Sequence, residues 1–133
     1  MLDQAVVMGD FNADPFDREM WNAKHIFALR DLREVRERSG GGVSFDKHPF
    51  WNPCWQLLSE WSEDRVAGGT YWYSERLRHS RWYLYDQVLM SSALSSAFSK
   101  IKVETDLLGQ LLKSIPDRKS TRLNSSHLVI SYA

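Results

Sequence analysis

The sequence predicts a mixed α+β domain, and three features carry that expectation. Ala5-Val6-Val7-Met8 is a short apolar run of strand type, residues 69–74 and 82–90 are aromatic runs that suit a pleated surface, and apolar residues between 26 and 38 recur at helical spacing. At 133 residues the chain has room for one modest core and no second one. Hydrophobic residues at 43% and charged residues at 26% match ordinary soluble chains, and the high aromatic content, 13% with six Trp, points to a packed interior.

Taken in order, the first strand stops abruptly at Gly9-Asp10-Phe11-Asn12, so a buried strand delivers polar residues to its end. Asp14-Pro15-Phe16-Asp17 reads as a turn with Asp17 placed to cap a helix through about Met20 to Lys24. Ile26, Leu29, Leu32 and Val35 then predict an amphipathic helix, whole or broken, over 26–38, closed by the loop glycines Gly40, Gly41 and Gly42. Asn52-Pro53 starts a short helix through Trp55 to Trp61. The two aromatic strands follow, joined by a charged loop over 75–81. Residues 91–98 read as a turn and short helix, 100–104 as a strand and 107–113 as a short helix or loop.

Basic and acidic residues balance at 17 each, so no overall field marks a polyanion binder. The single cysteine, Cys54, excludes an internal disulfide and a Cys-based zinc site and fits a reducing compartment. Nowhere is there an apolar run long enough for a membrane span or a signal-peptide core, so the expectation is a cytoplasmic protein without a membrane partner.

Gly9-Asp10-Phe11-Asn12 carries the chemistry. Continued strand alternation would point the Asp10 carboxylate and the Asn12 carboxamide to the same side. In a phosphoester hydrolase such a carboxylate orients or deprotonates the attacking water, and such an amide donates to a phosphate oxygen whose charge grows in the transition state. Gly9 would let the backbone come close. Turn chemistry alone also explains Asp and Asn at these positions.

The run from Val6 to Pro15 resembles the catalytic Gly-Asp-(Phe/Leu)-Asn strand end of the endonuclease/exonuclease/phosphatase family, and Tyr85-Asp86-Gln87-Val88-Leu89-Met90-Ser91 is similar to that family's later strand. Residues 50–58 and 69–74 look like bacterial members, so the resemblance spans nearly all of 1–116. It implies roughly the second half of a four-layer αββα sandwich, mostly antiparallel sheet with flanking helices. By the same resemblance Asp10 matches the water-handling aspartate, Asn12 the phosphate-contacting asparagine and Asp86 the aspartate that braces the catalytic histidine. Mg²⁺ or Mn²⁺ would serve as cofactor in the intact domain, and the substrate would be a phosphoester, nucleic acid among the candidates. The family's metal-binding Glu would precede Met1 and its Ser-Asp-His strand would follow Pro116, which predicts poor or no hydrolysis by this chain alone. His25, His48 and His79 fall outside the pattern.

Residues 117–133 resemble a translated sequencing-library adapter, with Leu128-Val129 at the variable index, and are expected to be a foreign, disordered tail. Ser126 and His127 accordingly receive no chemical role. Without that tail the remainder is slightly acidic. Two other readings compete with hydrolysis. One is a single-stranded nucleic-acid-binding module that stacks bases on Trp51, Trp55, Tyr71, Trp72, Tyr73, Trp82 and Tyr83 beside Arg76, Arg78 and Arg81. The other is an interaction domain without catalysis, and oligomeric state is open in all three.

Overall fold

The structure is a computed structural model that describes residues 4–40, 47–59, 69–72, 82–104 and 127–132. In chain order its elements are β1 (Val6–Asp10), α1 (Arg18–Trp21), β2 (Ala28–Leu29), α2 (Leu32–Gly40), β3 (Phe50–Trp51), α3 (Trp55–Ser59), β4 (Tyr71–Trp72), β5 (Trp82–Tyr83), β6 (Asp86–Met90), a 3-10 helix (Ser92–Ala97), β7 (Phe98–Glu104) and β8 (His127–Tyr132). The mixed α+β class is as expected. Four strands form a sheet in the order β1-β6-β3-β2, antiparallel except for the β2–β3 pair. β4 pairs with β5, and β7 with β8, both antiparallel.

Alternation along β6 divides the interior in two. Val88 and Met90 face a core with Val35, Trp51, Cys54, Leu57, Leu84 and Ile101, while Leu89 faces Ala13, Met20 and Ala28. Each Val, Leu, Ile or Met among them contributes about 1.5–3 kcal/mol by leaving water. That sum holds β6 centrally, with α2, α3 and β7 supplying one core and α1 the other.

Several expectations change in detail. The helix expected over 26–38, whole or broken, forms only from Leu32 as α2, and its first part is β2. Phe27 takes a left-handed φ of 60°, which reverses the chain so that Ala28 and Leu29 can pair with Phe50 and Trp51. A left-handed non-glycine residue costs roughly 1–2 kcal/mol. Burial of the Phe27 ring and the bond from the Phe50 N–H to the Phe27 carbonyl offset that cost. Asp31 then starts α2, its Oδ1 accepting the Arg33 N–H at 2.8 Å. Helix α1 begins and ends earlier than expected, and Asp17 at its start accepts the Asp14 N–H at 2.8 Å rather than a helical one. The second aromatic run breaks at Leu84-Tyr85 into β5 and β6, because Leu84 turns into the core.

Of the tail, the structure describes only 127–132. Residues 127–132 form β8, antiparallel to β7 from Phe98 opposite Tyr132 to Glu104 opposite His127, with an irregularity in the register between Phe98 and Lys100. Leu-Val-Ile is β-prone, and the edge of β7 offers ladder groups to pair with it. The expected loop over 75–81 with its three arginines, His79, Trp61, Tyr73, the 107–113 segment and the remainder of the tail lie outside the described residues. No helix among the described residues is long and apolar enough to cross a membrane.

Candidate active site at the end of the β1–β6 ladder

Pairing register places Asp10 directly opposite Asp86 at the end of the β1–β6 ladder. Phe11 donates its N–H to the Tyr85 carbonyl and Ser91 donates to the Ala5 carbonyl, so odd-numbered β1 residues make the ladder hydrogen bonds. Asp10 and Asp86 are therefore a non-hydrogen-bonded pair, with Cα atoms about 4.5 Å apart and side chains on the same face. Two of the three expected site residues are thus neighbours. Like charges directly opposite cost up to about 1 kcal/mol. Burial of Val88 and Leu89 just along the ladder outweighs this, and Asp10 is open to water.

Asn12 follows in a turn rather than in the continued strand that alternation predicts. β1 ends at Asp10, and Asn12 adopts a left-handed φ of 51° in a turn where its N–H donates to Asp10 Oδ1 at 2.9 Å. This is an Asx turn, a conformation that Asn tolerates better than most residues. One Asp10 oxygen is thereby committed to the backbone. Gly9 has open space around its Cβ position, and its φ of 157° suits glycine.

Anchors on both sides of Asn12 fix the turn. On one side the Phe11 N–H is held by Tyr85. On the other, the Ala13 carbonyl accepts from Gln87 Nε2, and Gln87 Oε1 accepts from Asn52 Nδ2 at 2.7 Å, both side chains being fully buried. Asn52 Oδ1 in turn accepts the Cys54 N–H at 3.0 Å, which ties the start of α3 into the same chain of bonds. Asp14, only 3% exposed, accepts the Leu84 N–H at 2.6 Å. Its carboxyl pKa is raised by burial and, more weakly, by the nearby Asp17 charge, with the Leu84 bond working in the opposite direction. Thr70 closes the other flank by accepting the Asp86 N–H at 3.0 Å, while its own N–H donates to the Tyr83 carbonyl. Gly69 just before it has no alternative, since a Cβ there would lie 2.4 Å from the Tyr83 oxygen.

None of these positioning residues stands out in the sequence as functional. Gln87 had one legible signal: it alternates in phase with Leu89 rather than with Asp86 and Val88, which marks it as a polar group facing a core. His25 and His48 are exposed and outside this constellation. Trp51 packs edge-on against Phe98 with ring centroids 5.0 Å apart and donates its indole N–H to the Arg30 carbonyl, so its ring is core rather than an open stacking surface. Tyr85 lies between Tyr71 and Tyr83, each at 5.3 Å, beside the acidic pair.

Comparison of the chain with protein-family models, with curated proteins and with solved structures finds no match.

Proposed function

We propose that residues 1–116 are roughly the second half of a four-layer αββα phosphoester hydrolase of the endonuclease/exonuclease/phosphatase kind. The observation that carries the proposal is the register that sets Asp10 against Asp86 with the Asn12 turn beside them. Asp10 presents one oxygen not used by the turn to a water molecule, which it orients or deprotonates for attack on phosphorus. The Asn12 carboxamide donates to the phosphate oxygen that gains charge. Asp86 braces a histidine contributed by another segment.

The proposed reaction calls for Mg²⁺ or Mn²⁺, and two carboxylates and an amide are the hard oxygen donors that such ions accept. Asp10 and Asp86 do not make a cage by themselves, however. Among the described residues no three His, Cys, Asp or Glu side chains gather around a common point. By the resemblance, the metal-binding Glu and the catalytic histidine belong to other segments, so the chain alone should hydrolyse phosphoesters poorly or not at all.

Bis(p-nitrophenyl) phosphate with Mg²⁺ or Mn²⁺ provides the test. The purified chain is expected to show no turnover above background, whereas the chain extended in frame with the upstream and downstream sequence of its own gene turns over. In that extended protein Asp10→Asn or Asn12→Gly lowers kcat by about 10²–10³-fold. Glycine is the informative choice at 12, because it keeps the left-handed backbone and removes only the amide. An extended protein that cleaves no phosphoester, or that ignores both substitutions, refutes the assignment.

A further inference from the structure

β1 is an edge strand of unusual composition. Among the described residues it stands at the end of the sheet order, and all five of its residues are exposed, Met8 by 64%, Val7 by 40% and Val6 by 37%. Edge strands normally carry charge, proline or a bulge that blocks further pairing. Val6, Val7 and Met8 have none of these.

The direction of its open backbone groups follows from the ladder. Odd-numbered residues bond to β6, so Val6, Met8 and Asp10 turn their N–H and C=O groups outward. The opposite strand obeys the same rule, since the even-numbered residues of β6 point away from β1: the Asp86 N–H goes to Thr70 and the Val88 N–H to Cys54 Sγ. β1 thus offers a regular row of outward donors and acceptors flanked by apolar side chains.

We propose that this edge pairs with the same edge of a second copy of the chain, antiparallel about a two-fold axis at Val7. A partner strand must match even residues with even ones, which any residue of the strand satisfies as the centre. Centring on Asp10 faces two carboxylates, and centring on Gly9 sets the Asp10 carboxylate against Met8. Centring on Met8 sets the Asp10 carboxylate against Val6, and centring on Val6 sets Met8 against Gln4. Centring on Val7 pairs Val6 with Met8, Ala5 with Gly9, Val7 with itself and Asp10 with Gln4, whose amide can donate to the carboxylate. Apolar meets apolar, polar meets polar, and no like charges face each other. An isologous contact of this kind closes on itself, and each dimer joins two four-stranded sheets into one. The proposal does not depend on the hydrolase reading.

Sedimentation equilibrium and light scattering on the intact chain test it through charge exchange at the axis. Wild type is expected to show a reversible, concentration-dependent doubling of the 15.5 kDa mass. Val7→Lys and Val7→Glu each place like charges face to face and should be monomeric, and an equimolar mixture of the two should recover the doubled mass. Met8→Pro removes an outward N–H while leaving the β1–β6 bonds intact, and should also be monomeric. Circular dichroism matching wild type shows that each variant is folded. A monomer at all concentrations, an open-ended aggregate, or a Lys/Glu mixture that stays monomeric would each overturn the proposal. The last of these would do so even if wild type dimerises, because it excludes the Val7 axis.

Discussion

Replacing Asp14 separates the contribution of its hydrogen bond from the penalty of its charge. The side chain is 3% exposed, its Oδ1 holds the Leu84 N–H at 2.6 Å, and burial raises its carboxyl pKa. Asp14→Asn keeps an oxygen for Leu84 and removes the charge; Asp14→Ala removes both and leaves a buried N–H without a partner. That orphaned group costs about 1–3 kcal/mol. With an unfolding entropy of about 2.1 cal/mol/K per residue over a chain of this length, each kcal/mol moves the Tm by about 4 °C. Asp14→Ala should therefore melt about 4–11 °C below wild type at neutral pH. Asp14→Asn should melt at or above wild type. Because the folded carboxyl titrates higher than the unfolded one, the folded state binds the proton more tightly. Stability from this group is fully present below the ordinary carboxylate range and is lost as pH rises through the raised folded value. The advantage of Asp14→Asn over wild type should thus appear at neutral pH and vanish in acid. Melting followed by circular dichroism across that pH range gives both curves. If Asp14→Asn falls as far as Asp14→Ala at neutral pH, the charge itself is stabilising and the account of this buried carboxylate is wrong.

Two further predictions concern the same interior. Gln87→Leu should cost about 1–3 kcal/mol for each of the two groups it strands, the Asn52 amide and the Ala13 carbonyl, as read from urea denaturation; a loss under about 0.5 kcal/mol would show that the network does not brace the turn. Burial pushes the Cys54 thiol up to about 12, so a disulfide reagent at pH 8 should modify it only as fast as the chain unfolds, and rapid labelling of the native protein would place Cys54 elsewhere.

Local chemistry made some of this structure legible in the sequence. Val6-Val7-Met8 reads as a strand because β-branched residues suit one, and 92–97 reads as a turn and short helix because serine punctuates it. Pairing is a different matter. That Asp10 would stand opposite Asp86 depends on a register between strands about 75 residues apart, which no local pattern encodes. Helical spacing over 26–38 misled for a related reason: Phe27, Ala28 and Leu29 obey the long-range demand of β3 before their own periodicity. The buried bonds of Asn52, Thr70, Asp14 and Gln87 were not legible because isolated polar residues read as surface, turn or cap until a partner is known.

The same bonds explain why the turn at Asn12 can be dissected chemically. Its position is set by neighbours: Phe11 is bound to Tyr85, Ala13 to Gln87 and Asp14 to Leu84, all at the entry to β6. The Asn12 side chain is exposed, and the backbone N–H rather than the carboxamide makes the bond to Asp10. Geometry and chemistry at this residue therefore belong to different atoms. Removing the carboxamide should leave the Asp10–Asp86 pair where it is, while breaking the Gln87 link should loosen the turn with the carboxamide still present. A side chain required only to hold the loop would make these two changes equivalent. One that contacts a phosphate would make them differ in the extended protein, with Asn12→Gly losing turnover at full stability and Gln87→Leu losing stability first.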